Sequence, residues 1–202
     1  KLFELFIAFI VVPISFVLEY PVLLKVVIGV AGFLYILFGL LRVVKNQFKI
    51  STGLYWKLFW NQSLIKLLAI IILTTFYVWW FDKTNLFSAV LNKPLLWLAI
   101  LFIYSVFSVY PQELIFRTFF FQRYEGLFKS KALFIFINAI VFSLAHLFFR
   151  NTLVLVLTLF GGILFGFTFY KTKSTLFVTI EHAIYGCWLY TVGMGSILGF
   201  PA

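Results

Sequence analysis

The stretch Pro111-Gln112-Glu113-Leu114-Ile115-Phe116-Arg117 places an amide, a carboxylate and a guanidinium inside an otherwise apolar neighbourhood. Leu95 to Tyr110 on one side and Phe119 to Phe121 on the other are almost unbroken hydrocarbon and aromatic surface. A charge in such a setting costs several kcal/mol unless it is paired or used. Glu113 and Arg117 are four residues apart, so on a helix they share one face and neutralise each other. Whatever surrounds this pair must be a fold that tolerates charge only where it is matched.

The surroundings are membrane. Of 202 residues, 64% are hydrophobic and only 11% charged, against about a quarter charged in a soluble domain. Apolar runs of roughly 18 residues or more read as transmembrane helices, and the chain is built from them. The expected fold is all-α, a polytopic transmembrane bundle of about seven spans forming one integral membrane domain over residues 1–202. The net charge of +10 is carried mainly between the runs, as expected of loops and helix ends facing anionic headgroups. Membrane lipids are therefore the expected partners, and nucleic acid is not. Cys187, the single cysteine, excludes an intrachain disulfide and reads as a small buried hydrophobe.

In chain order, Leu2 to Val17 is the first run. Glu4 in place of a basic start, with no small-residue cleavage site after it, reads as a span rather than a signal peptide. Val22 to Leu41 is the second, with Lys25 able to snorkel. Arg42 to Asn61, basic and bearing Trp56 and Trp60, reads as an interfacial segment. Ser63 to Phe81 is the third span, closed by Trp79 and Trp80. The fourth runs from Leu95 to about Arg123, with a kink expected at Pro111. Ala132 to Phe149 is the fifth and Leu153 to Tyr170 the sixth. Gly162 and Gly166 on the sixth fit close approach by a neighbour. Thr175 to about Leu198 is the seventh, loosened by its glycines.

Lysines and arginines set the orientation. The connections after spans two, four and six carry Arg42, Lys45, Lys49 and Lys57, then Arg123, Lys129 and Lys131, then Lys171 and Lys173. Those after spans three and five carry only Lys83 and Lys93, then Arg150. The N-terminus is thus expected on the cytoplasmic side of a bacterial plasma membrane.

Within the apolar runs the ionisable groups that stand out are Glu113, Arg117, His146, Glu181 and His182. At about 1.5 Å per helical residue, Glu113 lies about 15 Å in from Arg123, His146 about 22 Å from Lys131 and His182 about 13 Å from Lys173. Three spans so bring polar groups to a similar depth, which points to a site. Glu181, next to His182, points elsewhere and is expected to meet Lys173 or the headgroups. A carboxylate and an imidazole together deprotonate water, and a second imidazole donates to an oxyanion. That suits hydrolysis of an acyl group or peptide. The same groups also suit a proton relay, or a zinc site on Glu113, His146 and His182. Zinc is the weaker reading, because the two histidines do not share a helix at i, i+4, and no cofactor is expected.

Gln112-Glu113-x-x-x-Arg117, Phe142-x-x-x-His146 and His182, in this order, resemble the CPBP family. That family comprises type II CAAX prenyl proteases and bacteriocin-processing or bacteriocin-immunity proteins. Gly161-Gly162, Gly166 and Tyr170 to Leu176 resemble its later conserved blocks, giving a CAAX-protease-like core over 95–190. The resemblance implies an intramembrane peptidase acting on a membrane-anchored or prenylated peptide. Its pattern is Glu-Glu-x-x-x-Arg, Phe-x-x-x-His and His-x-x-x-Asn or Asp. It implies that His146 activates water, His182 donates to the oxyanion, Glu113 and Arg117 match the second Glu and the Arg, and Phe142 packs beside His146. Two positions depart from the pattern. Gln112 stands where the first Glu does, and it cannot accept a proton. Gly186 stands where the Asn does, and it has no side-chain donor. The alternative is therefore a catalytically inactive relative serving as a scaffold, immunity factor or complex subunit.

Overall fold

A computed structural model describes residues 1–43 and 53–195. Among these residues the chain is helical throughout, and five helices are long and apolar enough to cross a membrane. They are Val22–Arg42, Trp56–Phe81, Pro94–Leu127, Lys131–Phe149 and Thr152–Thr172. Side chains that a soluble fold would bury, among them Leu23, Ile65, Leu95 and Phe107, lie exposed on these helices. Apolar surface on this scale is excluded from soluble monomers and belongs against lipid. The protein is an integral membrane protein of all-α, polytopic type.

The helices are labelled α1 (Leu2–Ser15), α2 (Val22–Val43), α3 (Gly53–Phe81), α4 (Pro94–Leu127), α5 (Lys131–Leu144), α6 (Thr152–Thr172) and α7 (Thr175–Leu189). Three of them depart from expectation. The third begins ten residues early, so that 53–61, read as interfacial, continue the span; 44–52 of that segment lie outside the described residues. Its aromatic residues pack rather than float, with Phe59 stacked on Phe177 at 4.6 Å and Trp56 edge-on to Phe177 at 4.5 Å. In the seventh, 196–198 of the expected span lie outside the described residues, and the α-helix ends at Leu189. Beyond it a wide turn, Tyr190–Met194, breaks at Gly193, whose φ of 112° only glycine adopts readily. A Cβ there would also overlap the carbonyl of Asn85. Both α1 and α7 are shorter than a bilayer requires at about 20 residues.

At Pro111 the helix continues. The disruption takes the form of two π-type turns, Tyr104–Val109 before it and Leu114–Phe119 after it. Such turns carry an extra residue per ring and recur at functional sites.

The chain divides into two compact units, Lys1–Lys49 with Gln112–Thr175, and Ile50–Pro111 with Leu176–Ala202. In the first, Phe9 of α1 is ringed by Phe116, Phe119, Phe120 and Tyr124 at 5.1–6.4 Å between centroids. Arg123 donates to both carboxylate oxygens of Glu4, at 2.7 Å from Nη2, and Tyr35 donates to the same carboxylate at 3.1 Å. The glycine pair of α6 does meet a neighbour, which is α5. A Cβ built on Gly162 would stand 2.8 Å from Ala139 Cα, and one on Gly166 would stand 3.1 Å from Ile135 Cγ2.

In the second unit, three contacts tie α3 to α7. Trp188 donates to Thr74 Oγ1 at 2.9 Å, Tyr185 donates to the Ser63 carbonyl at 3.0 Å, and Lys66 meets Glu181. On the other side of α7, Trp97 donates to Thr191 Oγ1 at 2.9 Å. Each of these polar groups would otherwise sit in hydrocarbon with nothing to bond.

Because backbone, not a flexible side chain, faces Gly162, Gly162→Val is expected to lower stability by about 1–3 kcal/mol. A Cβ on Gly126 meets open space, so Gly126→Ala serves as the control. Thermal unfolding in detergent should show a reduced midpoint for the first variant alone; equal midpoints would contradict the packing.

Candidate functional site

The first unit carries Gln112, Glu113, Arg117, Phe142 and His146. Glu113 and Arg117 are each fully buried, and Arg117 Nε lies 3.4 Å from Glu113 Oε2. The guanidinium is also framed by rings, at 4.5 Å from the Phe142 centroid and 5.7 Å from that of Phe165. A ring face attracts a desolvated cation electrostatically. Asn138 of α5 donates to the Phe116 carbonyl at 2.7 Å and so pins the wide turn between Glu113 and Phe119 to α5.

His146 is not inside a helix, as the apolar run suggested. The α-helix ends at Leu144, and His146 leaves helical geometry at φ −100°, ψ 5°. The last carbonyls of a helix lack intrahelical donors, and one of them is used here: His146 Nδ1 lies 2.8 Å from the Phe142 carbonyl. A carbonyl only accepts, so Nδ1 carries the hydrogen. In a neutral ring held this way Nε2 is the accepting nitrogen. The ring packs edge-on to Phe142 at 4.8 Å between centroids. Gln112, half-buried, precedes Glu113 by one residue and so sits about 100° round the helix from it.

The second unit carries His182 on α7, 7% exposed. Tyr104 stands edge-on to it, with centroids 6.2 Å apart and planes at 81°. Gly186 follows one turn later on the same helix. Glu181, fully buried, does not pair with Lys173. Lys173 binds Glu125 at 3.1 Å, and Glu181 takes Lys66 of α3 together with the Tyr185 hydroxyl at 2.9 Å. Lys66 was overlooked in the sequence although it stands three residues into the third apolar run. A lysine so near a helix end reads as a snorkelling residue, and the signal that it pairs, a matching acid, lies 115 residues away.

Among the described residues no three His, Cys, Asp or Glu side chains gather as metal ligands, and the chemistry that follows uses the chain's own groups alone. These are a buried ion pair beside an aromatic-backed imidazole in one unit, and an imidazole with a phenol against it in the other.

The all-helical integral membrane fold carries CAAX-protease-like motifs. Residues 94–188 match the family model described as type II CAAX prenyl endopeptidase Rce1-like. The CPBP resemblance of the motifs is supported by that match, which spans every motif residue from Gln112 to Gly186. Comparison with curated proteins and with solved structures gave no match.

Lys66→Met would leave the Glu181 carboxylate buried without its cation. Breaking a buried pair this way costs about 3–5 kcal/mol, and the lower end applies because Lys66 is partly exposed. Lys66→Met with Glu181→Gln should recover most of that loss in a thermal unfolding series. Additive losses in the double variant would contradict a direct pair.

Proposed function

We propose that this protein receives a prenylated or otherwise membrane-delivered peptide in its CAAX-protease-like core and holds it without cutting it. One observation carries the choice over an active peptidase. Of the two positions that the family pattern fills with glutamates, 112 bears an amide, and the carboxylate at 113 is sealed against Arg117 with no exposed surface. A glutamine accepts no proton at neutral pH. A fully buried glutamate paired with Arg117, whose guanidinium Phe142 and Phe165 cover, is poorly placed to take one from water.

His146 stands where the resemblance puts the water-activating histidine, but the carboxylate that the resemblance assigns to work with it is absent. General acid–base assistance is worth roughly 10²–10⁴-fold, enough to separate an enzyme from a binder at the lifetime of a membrane peptide. His182 lies buried where the resemblance puts an oxyanion donor, and the apolar helices offer a prenyl chain the surface it partitions into. A scaffold, immunity factor or assembly subunit needs no more than this. The basic connections after the second, fourth and sixth apolar runs support a cytoplasmic N-terminus in a bacterial plasma membrane, which suits peptides delivered from inside.

The test uses the whole protein in lipid nanodiscs with a fluorogenic farnesylated peptide ending in a C-a-a-X sequence. Saturable binding without product is expected. Gln112→Glu should then gain cleavage, by about 100-fold or more over the wild-type background. Wild-type cleavage that His146→Ala abolishes would overturn the proposal in favour of an active peptidase, and absence of binding would overturn it outright.

A further inference from the structure

Much of the positive charge of the first unit is gathered at one end. Lys1 precedes α1, Arg42 lies in the last turn of α2, and Arg123 stands near the end of α4. Lys131 opens α5, and Lys171 and Lys173 lie at the end of α6. These ends meet, because Arg123 binds Glu4 of α1 and Lys173 binds Glu125 of the turn after α4. The two carboxylates offset only part of the charge. An excess of cations at one end of a membrane-embedded unit attracts the anionic headgroups of the lipid layer beside it.

One place within this end is built as a site. A cavity of about 220 Å³ is lined by Lys1, Gly39, Leu40, Phe119, Gln122 and Arg123, contributed by α1, α2 and α4. That is far more room than one water needs, and less than the roughly 300–1,000 Å³ of a site that encloses a drug-sized ligand. Part of its wall is apolar and rigid. Phe119 packs so closely on Gly39 that an added Cβ would stand 2.9 Å from Phe119 Cε2.

The polar groups on the wall are prepared for a ligand. Glu4 accepts from Nε and Nη2 of Arg123 at 2.7–3.2 Å, which fixes the guanidinium plane. Nη1 has no hydrogen-bond partner among the described residues, so one edge of the five-donor fork is still to be used. The exposed Lys1 ammonium likewise has no partner among them. Gln122 Oε1 is buried and meets no donor, a costly state for an acceptor.

We propose that this cavity is a headgroup site for a lipid of the phosphatidylglycerol type. Lys1 and Arg123 Nη1 donate to the phosphodiester, and a glycerol hydroxyl donates to Gln122 Oε1. The two cations select an anion. The glutamine oxygen selects a headgroup that carries its own donor, which an ionised phosphatidate lacks. An ethanolamine would bring a third cation beside Lys1 and Arg123. Next to the lining residues in the chain, Leu2 and Leu41 are exposed and offer the acyl chains apolar surface. None of these contacts depends on whether a peptide is held or cut.

The full chain, stripped of lipid in detergent, is offered dioleoyl lipids one at a time, and native mass spectrometry counts the copies retained. One phosphatidylglycerol should be held about 10-fold more tightly than phosphatidylcholine, phosphatidylethanolamine or phosphatidate. Lys1→Gln with Gln122→Met should cut that preference about 5-fold or more. Lys1→Gln alone, at an exposed position that holds nothing in the fold, should give a smaller loss in the same direction. Lys171→Gln removes a charge from the same end but outside the cavity, and should leave the preference intact.

An equal loss in Lys171→Gln would make the attraction diffuse and overturn the site, as would wild-type preference in Lys1→Gln. Phosphatidylcholine or phosphatidylethanolamine held as tightly as phosphatidylglycerol removes the anion selection. Phosphatidate held as tightly overturns the Gln122 contact. Glycerol phosphate that displaces the lipid at equal concentration would make the ligand a soluble phosphate ester and overturn the lipid assignment.

Discussion

Hydrocarbon offers a charged side chain nothing to bond, so every ion inside a membrane fold has to bring its own partner. In the first unit that constraint is met by Glu113 and Arg117, fully buried and 3.4 Å apart. Much of the unit is built to serve them. Phe142 and Phe165 cover the guanidinium, and Asn138 ties the wide turn that carries the pair to α5. The close approach of α6 to α5 at Gly162 brings Phe165 within reach. The second unit solves the same problem with Lys66 and Glu181, joined by the Tyr185 hydroxyl. Apolar residues of similar volume often stabilise as well as a buried pair does, whereas removing one partner alone is costly.

The two departures from the family pattern differ in their surroundings. At 186 the space of a side chain is taken by Tyr104, which leaves no room for a Cβ. At 112 stands an amide. Glu113 is engaged with Arg117, and Glu4 and Glu125 of the same unit are engaged with Arg123 and Lys173.

Much of this was legible in the sequence, and the failures have physical causes. Composition alone gives the membrane, and the i, i+4 spacing gives the Glu113–Arg117 pair. The four-residue step from Phe142 to His146 gives their contact, although the helix ends before the histidine does. Tryptophan and lysine between 53 and 61 read as an interface because those residues favour interfaces, yet Trp56 and Phe59 pack on Phe177. Lys66 and Glu181 were not legible as a pair: each looks like a residue bound for the headgroups, and only tertiary structure joins them. Tyr104 was invisible for a related reason. A glycine in a motif reads as absence, and nothing in the local sequence says which distant side chain fills the space.

The most direct measurement is an experimental structure of the wild-type protein in a bilayer mimetic with an intact farnesylated peptide bound. The account predicts an uncut peptide bound to the wild-type protein. A cleaved peptide, or no bound peptide at all, would contradict it.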